Sequence, residues 1–224
     1  MKPALVRVLT ISLIFLTIPL FAQTSPTTTV STQTQGQGSS PGNAWTIFAS
    51  ASVANAQLYG TSRDRHLTLF GVRYTRLLLK KGAFALNYIP EIIPLAVLSQ
   101  PALGNLAAPA RTPLTHIQIA YAAGINPVGV ELVLPQKKRV EPFVGTTEGF
   151  LFFNRNVPSP LAAQFNFAFT VGTGVRLRLS ESTGISVGYF FHHFSNAAEA
   201  HQNPGLDSHL ISFGYVFGFP KRSQ

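Results

Sequence analysis

Cysteine is absent from the 224-residue sequence, and charged residues make up only 11% of it. The lack of thiols excludes disulfide frameworks, thiol catalysis and zinc–thiolate sites. A soluble domain usually carries about 25% charged residues, so the predicted surface is unusually poor in charge. Long apolar runs are also missing, because no stretch after residue 22 reaches the roughly 18 residues of a membrane helix. Low charge without membrane helices is typical of a β-barrel that faces lipid.

Basic residues outnumber acidic ones, which gives a formal net charge of +9. The only dense basic run is Lys137-Lys138-Arg139, which is too short to form a stripe that binds nucleic acid. We therefore predict no nucleic-acid partner and expect anionic lipid head groups to be the electrostatic partner of the chain.

The N-terminal region has the pattern of a secretory signal peptide. Lys2 and Arg7 provide a positive start, the stretch 8–20 is largely apolar, and cleavage after Ala22 fits the pattern. A membrane anchor is the alternative, although the apolar part is short for one. The predicted organisation is a signal peptide at 1–22, a disordered Thr/Ser/Gln-rich leader at 23–42, a β-barrel at 43–219 and a C-terminal tail at 220–224.

From Asn43 onward, apolar residues alternate with small or polar ones in segments separated by turn residues. Successive side chains of a strand point to opposite faces of its sheet. In one segment Phe165 and Phe167 share one face, whereas Asn166 and Arg176 share the other. Strands are predicted in this way at 44–54, 64–79, 82–95, 113–124, 138–154, 162–179, 183–195 and 206–219.

These segments predict an all-β fold, an eight-stranded antiparallel transmembrane β-barrel. The apolar face would meet lipid, and the face of glycine, serine, asparagine and arginine would line a narrow polar interior. A soluble β-sandwich is the alternative, because its strands alternate in the same way. With both termini in the periplasm, residues 99–112 lie outside, and the long connection 125–137 is expected to hold a small periplasmic element. The aromatic residues predicted to lie at the membrane interfaces are Trp45, Tyr59, Tyr74 and Tyr88.

The last predicted hairpin carries a polar group of side chains on its apolar face. His193 and Ser195 have the parity of the lipid-facing residues in their strand, and Asp207 has that parity in the next strand. If the register places His193 opposite Asp207, their Cβ atoms are about 4.5–5.5 Å apart. A histidine can then take the proton of a serine while an acid orients the histidine. The side chains of Asn196 and Asn203, or backbone amides of the same loop, are the candidate donors to a tetrahedral oxyanion.

Several polar residues near this hairpin have competing interpretations. Glu199 is an alternative acid, but it falls in the loop, so Asp207 is favoured. His192 faces inward by parity, and His209 lies on the lipid face. A polar strand end also fits a head-group zone, so the spacing alone leaves a purely structural role open. No metal site and no cofactor are predicted, because no ligand spacing to acidic residues is found for His66, His116 and His201.

The run His193-Phe194-Ser195-Asn196, followed by Asn203-x-Gly205-x-Asp207-Ser208, resembles the C-terminal signature of PagL-type lipid A 3-O-deacylases, part of the acyloxyacyl hydrolase-like group of outer-membrane proteins. The resemblance implies a triad on the lipid-facing surface, with Ser195 as nucleophile, His193 as general base and Asp207 as orienting acid. It also implies that Asn203 lies near the oxyanion. Better-known members have Glu at the position of Asp207. Aspartate is one methylene shorter than glutamate, so it reaches the histidine only if the two backbones lie closer together. The stretch 60–65 also resembles this group, but no role is assigned to it.

The resemblance implies an esterase that removes the 3-O-linked 3-hydroxyacyl chain from lipid A. The expected location is the bacterial outer membrane, with the site at the outer leaflet. The expected partners are lipopolysaccharide and outer-membrane lipids, and pairing of two copies into a homodimer is left open. The alternative function is that of a non-catalytic small barrel, either a pore, an adhesin or a structural protein.

Overall fold

The computed structural model of the protein describes residues 43–102, 117–134 and 139–218. The predicted signal peptide, the leader, Phe219 and the predicted C-terminal tail lie outside these ranges. Within them the ordered segments are β-strands, and no helix is long and apolar enough to cross a membrane.

The strands form one antiparallel sheet that closes on itself. They are β1 (Asn43–Ala56), β2 (His66–Lys81), β3 (Phe84–Tyr88), β4 (Glu91–Pro101), β5 (Ile117–Val133), β6 (Val140–Val157), β7 (Ala163–Arg178), β8 (Thr183–Ser195) and β9 (Leu206–Phe217). The sheet closes because β1 pairs with β2 on one side and with β9 on the other. β3 and β4 lie end to end between β2 and β5, so the ring has eight positions. The predicted eight-stranded antiparallel barrel is confirmed.

The third position of the ring is interrupted where the sequence predicts one strand at 82–95. Pro90 lacks the N–H that a ladder needs, so the pairing breaks between β3 and β4. Two backbone bonds hold the chain across this break, from Ile89 N to Gly129 O at 2.9 Å and from Tyr74 N to Pro90 O at 3.0 Å. The position then extends to Pro101, beyond the predicted end.

The long periplasmic connection predicted at 125–137 is wrong for most of its length. β5 continues to Val133 and remains paired with β6 through Val133. Asn126 and Pro127 suggest a turn in the sequence, but they sit in a bulge between the paired residues Ile125 and Val128. A bulge inserts extra residues without ending a strand, so the expected periplasmic element is replaced by strand.

The outer surface of the ring is apolar along most of its strands. Such a surface would be far larger than the apolar patches that soluble monomers expose, and it matches the lipid-facing band of a transmembrane barrel. The alternation predicted for β7, β8 and β9 is confirmed, with the aromatic and aliphatic face outward. Exposed members of this band include Ile47, Phe70, Tyr121, Val130, Val144, Phe152, Phe167, Val171, Tyr189, Phe213 and Tyr215.

The interior near the β8–β9 loop contains an apolar layer beside buried polar side chains such as Asn166, His192 and Ser208, whereas the sequence predicts a polar lining alone. Large side chains from several strands meet inside the barrel with no exposed surface. Such a packed layer blocks a water-filled path along the barrel axis. They are Leu67, Leu98, Leu151, Phe153, Phe194 and Leu206. We call this group the apolar plug.

The opposite half of the interior holds charged side chains in pairs. Arg73 contacts Glu91 at 2.6 Å, and Arg178 contacts Glu141 at 2.6 Å. Glu131 forms an ion pair with Arg176 and also accepts a hydrogen bond from Asn87 at 3.0 Å. Pairing offsets the large cost of removing each charge from water. The interior is therefore filled by side chains at both ends.

The apolar plug predicts that the barrel does not conduct ions. Purified protein inserted into planar bilayers should show no stable single-channel current, because the plug leaves no polar path through the ring. Regular step-like openings would contradict this packing and favour the pore interpretation.

The buried charge of Glu131 predicts a large stability effect. Glu131→Gln should lower the free energy of unfolding by about 3–5 kcal/mol, because it leaves the Arg176 guanidinium buried without its counter-charge. Denaturant titration of the refolded barrel measures the change. Glu148→Gln is the matched control, since Glu148 lies on the outer face of β6, and it should not destabilise the barrel. Equal losses in both variants would show that the interior pair does not matter.

Candidate active site

The β8–β9 hairpin places His193 directly opposite Asp207. Their side chains meet, with His193 Nδ1 at 2.6 Å from Asp207 Oδ1. The Asp207 side chain has no exposed surface, whereas 12% of the His193 side chain is exposed. Side-chain parity makes this register possible without requiring it, and the pairing of β8 with β9 shows that it is formed.

This contact determines which ring nitrogen of His193 is available. A carboxylate only accepts hydrogen bonds, so the proton of a neutral imidazole must lie on Nδ1 in this pair. The lone pair is then on Nε2, which is the arrangement of a general base held by an acid.

Ser195 lies two residues beyond His193 on the same outward face of β8. It is partly exposed and pairs with Phe167 of β7. Within the described ranges no hydrogen bond joins the Ser195 hydroxyl to the His193 ring. Residues two apart in a strand are about 6.6–6.8 Å apart along the chain, so contact between these side chains depends on their rotamers.

The two asparagines of the β8–β9 loop differ in how they are engaged. Asn196 is buried, its Nδ2 donates to Gln202 O at 2.8 Å, and its Oδ1 accepts from Ala198 N at 3.1 Å. The backbone N–H of Asn196 donates to Asn203 Oδ1 at 3.0 Å. Asn203 is exposed, and this bond holds its Oδ1 against the Asn196 backbone, so its Nδ2 donor is turned away from that backbone. The side chain of Asn196 is thus used to hold the loop, whereas the Nδ2 group of Asn203 remains available to donate a hydrogen bond.

The loop turns sharply directly after Ser195. Ala197 and Ala198 have φ angles of 52° and 65°, and Glu199 N donates to Asn196 O at 3.0 Å across the turn. A left-handed conformation costs an L-residue about 1–2 kcal/mol, and glycine or asparagine is the usual occupant. Backbone strain therefore lies beside the candidate serine, as is common at functional sites.

The β1–β2 loop, residues 57–65, covers the other side of Asp207. Asp207 Oδ2 accepts hydrogen bonds from Leu58 N at 2.6 Å and from Tyr59 N at 2.7 Å. The Tyr59 ring packs edge-on against the His193 ring at 5.6 Å between centroids, and also near Phe169 at 5.6 Å. The sequence assigns Tyr59 only to an interface belt and gives the stretch 60–65 no role. The resemblance of that stretch to the deacylase group was the one signal that pointed here.

The β1–β2 loop is fixed by bonds of its own. Thr61 donates twice to Pro204 O, from N at 2.6 Å and from Oγ1 at 3.1 Å. Asn55 closes the base of the loop through Arg65, donating to Arg65 O at 2.8 Å and accepting from Arg65 N at 2.9 Å. Arg65 also donates to Pro158 O at 2.8 Å, and burial lowers the pKa of Arg65, an effect that Asp64 opposes.

Among the described residues, none of the other candidates is hydrogen-bonded to the His193–Asp207 pair. Glu199 is exposed in the turn, so Asp207 and not Glu199 contacts His193. His192 faces inward as predicted, 2.8 Å from Thr170 Oγ1 through Nδ1. His209 is on the outer face and stacks on Tyr189, with 2.7 Å between Nδ1 and the phenol oxygen. Among the described residues no group of His, Asp or Glu could hold a metal ion, and His116 lies outside them.

The fold and these residues define a class of protein, a transmembrane β-barrel in which Ser195 shares the outward face of β8 with His193, itself bonded to the covered Asp207. The family model described as "Lipid A 3-O-deacylase (PagL)" matches residues 98–216, more than half of the chain. The chain belongs to this lipid A deacylase family. The matched region includes His193, Ser195 and Asp207.

Solved structures with a similar fold are outer-membrane proteins. The crystal structure of the outer membrane enzyme PagL is 14% identical, covers 75% of this chain and 97% of its own, and superposes with a TM-score of 0.55. Neisserial surface protein A is 14% identical over 82% of this chain and 100% of its own, with a TM-score of 0.45. Outer membrane protein W of E. coli is 12% identical over 80% and 98%, with a TM-score of 0.39. No curated protein sequence matches the chain.

The strained turn predicts a stabilising substitution. Ala198→Gly should raise the free energy of unfolding by about 0.5–1 kcal/mol, because relief of the left-handed strain exceeds the added freedom of the unfolded chain. Ala200→Gly is the control, since Ala200 in the same loop does not have a positive φ and should gain nothing. Thermal unfolding monitored by gel mobility compares them. A loss of stability in Ala198→Gly would mean that the turn is not strained.

Proposed function

We propose that this chain is an outer-membrane esterase that removes the 3-O-linked 3-hydroxyacyl chain from lipid A by a Ser-His-acid mechanism. The observation that carries the proposal is the 2.6 Å contact between His193 and a fully buried Asp207, on the same outward face as Ser195. Membership of the lipid A deacylase family supports the choice of substrate. Ester hydrolysis of this kind requires no metal or cofactor.

The lipid-facing position of the group suits a substrate that lies in a membrane. An ester linkage of lipid A sits near the head-group boundary, with its acyl chain in the hydrocarbon. Ser195 occupies the outer end of β8, and the exposed Tyr189 and Phe213 continue the outward face below it. Together with Phe191 these rings give an acyl chain an apolar surface to follow away from Ser195.

Each side chain has one role in the proposed reaction. Ser195 Oγ attacks the carbonyl carbon of the ester, and its proton passes to His193 Nε2. Asp207 holds His193 and stabilises the imidazolium that forms. The tetrahedral intermediate collapses, the sugar oxygen leaves with the proton from His193, and the acyl group remains on Ser195. A water molecule then attacks the acyl-enzyme by the same route, which releases a 3-hydroxy fatty acid and restores Ser195.

The oxyanion of each tetrahedral intermediate needs donors. Asn203 is the favoured side chain, because its Oδ1 is held by the Asn196 backbone and its Nδ2 is left to donate. Asn196 supports the site through the loop, since both ends of its amide are engaged there. The separation of Ser195 and His193 in the free protein is compatible with this reaction, because catalytic hydrogen bonds often form only when substrate binds.

The strand directions support a site at the outer leaflet. With both termini in the periplasm, β8 runs outward and β9 runs back, so the β8–β9 loop lies outside. Lipopolysaccharide and its neighbouring outer-membrane lipids are the proposed partners. Whether two copies pair into a homodimer is left open by the sequence.

Loss of the nucleophile should abolish deacylation without unfolding the barrel. Ser195→Ala and His193→Gln should each lower the rate of 3-hydroxy fatty acid release from lipopolysaccharide by about a thousandfold or more, because each removes one part of a cooperating unit. Mass spectrometry of released fatty acids measures the rate. Heat-modifiable gel mobility confirms that each variant is folded.

His201→Gln provides the matched histidine control, because His201 is exposed in the same loop and lies outside the proposed group. It should retain the rate of the unmodified protein. If folded, unmodified protein releases no 3-hydroxy fatty acid, or if Ser195→Ala is fully active, the proposed function is wrong and a non-catalytic barrel is favoured.

A further inference from the structure

We propose that the β1–β2 loop positions the acid of the site, and that it makes aspartate rather than glutamate the working acid in this chain. The inference rests on the proposed function, in which Asp207 orients His193. It concerns residues 57–65, which make no direct contact with the proposed reacting atoms except through Asp207 and the ring of His193. We call this loop a positioning element.

The two oxygens of Asp207 have separate partners. Oδ1 contacts His193, whereas Oδ2 accepts from the backbone amides of Leu58 and Tyr59 at 2.6 and 2.7 Å. Hydrogen bonds to an ionised group are shorter and stronger than neutral ones. The carboxylate therefore cannot rotate away from His193 without losing two bonds to the loop.

Asp207 is closely covered by the β1–β2 loop. Its side chain has no exposed surface, and Gly60 sits so close that an added Cβ would lie 2.9 Å from Gly205 C and 2.9 Å from Leu206 N. Backbone atoms cannot yield as a flexible side chain can. One additional methylene at position 207 would push the carboxylate into the loop backbone, unless the loop moved away.

The loop is also held from outside the site, so it does not move freely. Thr61 is bonded twice to Pro204, and Asn55 is bonded twice to Arg65. These bonds fix the loop backbone before any contact with the carboxylate is counted. The loop position therefore decides which acidic side chain fits at position 207, and the side chain does not decide the position of the loop.

This coupling explains how the shorter acid reaches its histidine. The sequence resembles a group in which glutamate stands at this position, and aspartate needs closer backbones to make the same contact. Here the register of β8 and β9 places His193 and Asp207 opposite each other, and the loop amides hold Oδ2 so that Oδ1 stays in contact with His193. Tyr59 adds a ring contact to His193 from the same loop, so both members of the pair are held by one element.

The test is a double-mutant cycle between Gly60→Ala, which displaces the loop, and Asp207→Glu, which lengthens the acid. Each single variant should lower kcat for 3-hydroxy fatty acid release by about a hundredfold, since a small misplacement of a catalytic group has that effect. KM should change much less, because the loop acts through the acid rather than through substrate. The double variant should be about tenfold more active than the product of the two single losses, because coupled residues are non-additive.

Gly82→Ala is the control glycine variant. Gly82 lies in the β2–β3 turn, where an added Cβ meets nothing within 4 Å, and it also has a positive φ of 59°. It should leave kcat unchanged. If Gly60→Ala does not fold, Thr61→Val provides a milder change, because it removes only the hydroxyl bond to Pro204. It should lower kcat in the Asp207 chain more than in the Asp207→Glu chain.

A second measurement separates this inference from the proposed function. The nitrogen NMR shifts of the His193 ring report its contact with Asp207 whether or not turnover occurs. They should move in Gly60→Ala and Thr61→Val and stay in place in Gly82→Ala. Unchanged His193 shifts in the loop variants, a fully active Asp207→Glu, or single losses that simply multiply would each overturn the positioning role. A fully active Ser195→Ala would instead overturn the proposed function alone.

Discussion

Closure of the sheet between β1 and β9 is the constraint on which the rest of the molecule depends. In lipid every backbone N–H and C=O must be paired within the protein, and a closed ring is the only arrangement of strands without open edges. The same closure builds the site. Asp207 pairs with Ala56 at the end of β1, so the chain that leaves β1 must pass directly over the carboxylate. Residues from the two ends of the barrel sequence, far apart along the chain, meet only because the ring is complete.

Two kinds of contact in the interior stabilise the barrel. Near the site the apolar plug supports β8 and β9 from behind, because Phe194 and Leu206 are fully buried next to His193 and Asp207. In the opposite half of the interior, buried ion pairs such as Arg73–Glu91 neutralise each other's charge. A filled interior holds the strands rigidly, and a rigid scaffold keeps side chains on the outer surface in a constant relation to one another.

Much of this architecture follows from side-chain parity. The alternation in β7, β8 and β9 correctly predicts which residues face outward, and the pairing of β8 with β9 across the loop at 196–205 places His193 opposite Asp207. The second half of β5 was missed because Asn126-Pro127 indicates a turn when neighbours are unknown, whereas pairing with β4 and β6 on both sides absorbs the two residues as a bulge. The apolar plug was missed because Leu206 shares the inward face of β9 with serines, and parity does not tell which inward residues meet across the ring. The role of the β1–β2 loop was missed for a different reason, because its contacts with Asp207 are made by backbone amides, which every residue has.

The central claim is that the group at the rim acts on lipid A within the membrane. The most direct test is mass spectrometry of lipid A extracted from cells that produce either the unmodified protein or its folded Ser195→Ala variant. The account predicts that lipid A from the first cells lacks one 3-hydroxyacyl chain at the 3-position, and that lipid A from the second keeps it. Identical lipid A from both, with the barrel folded in the outer membrane, would contradict the account.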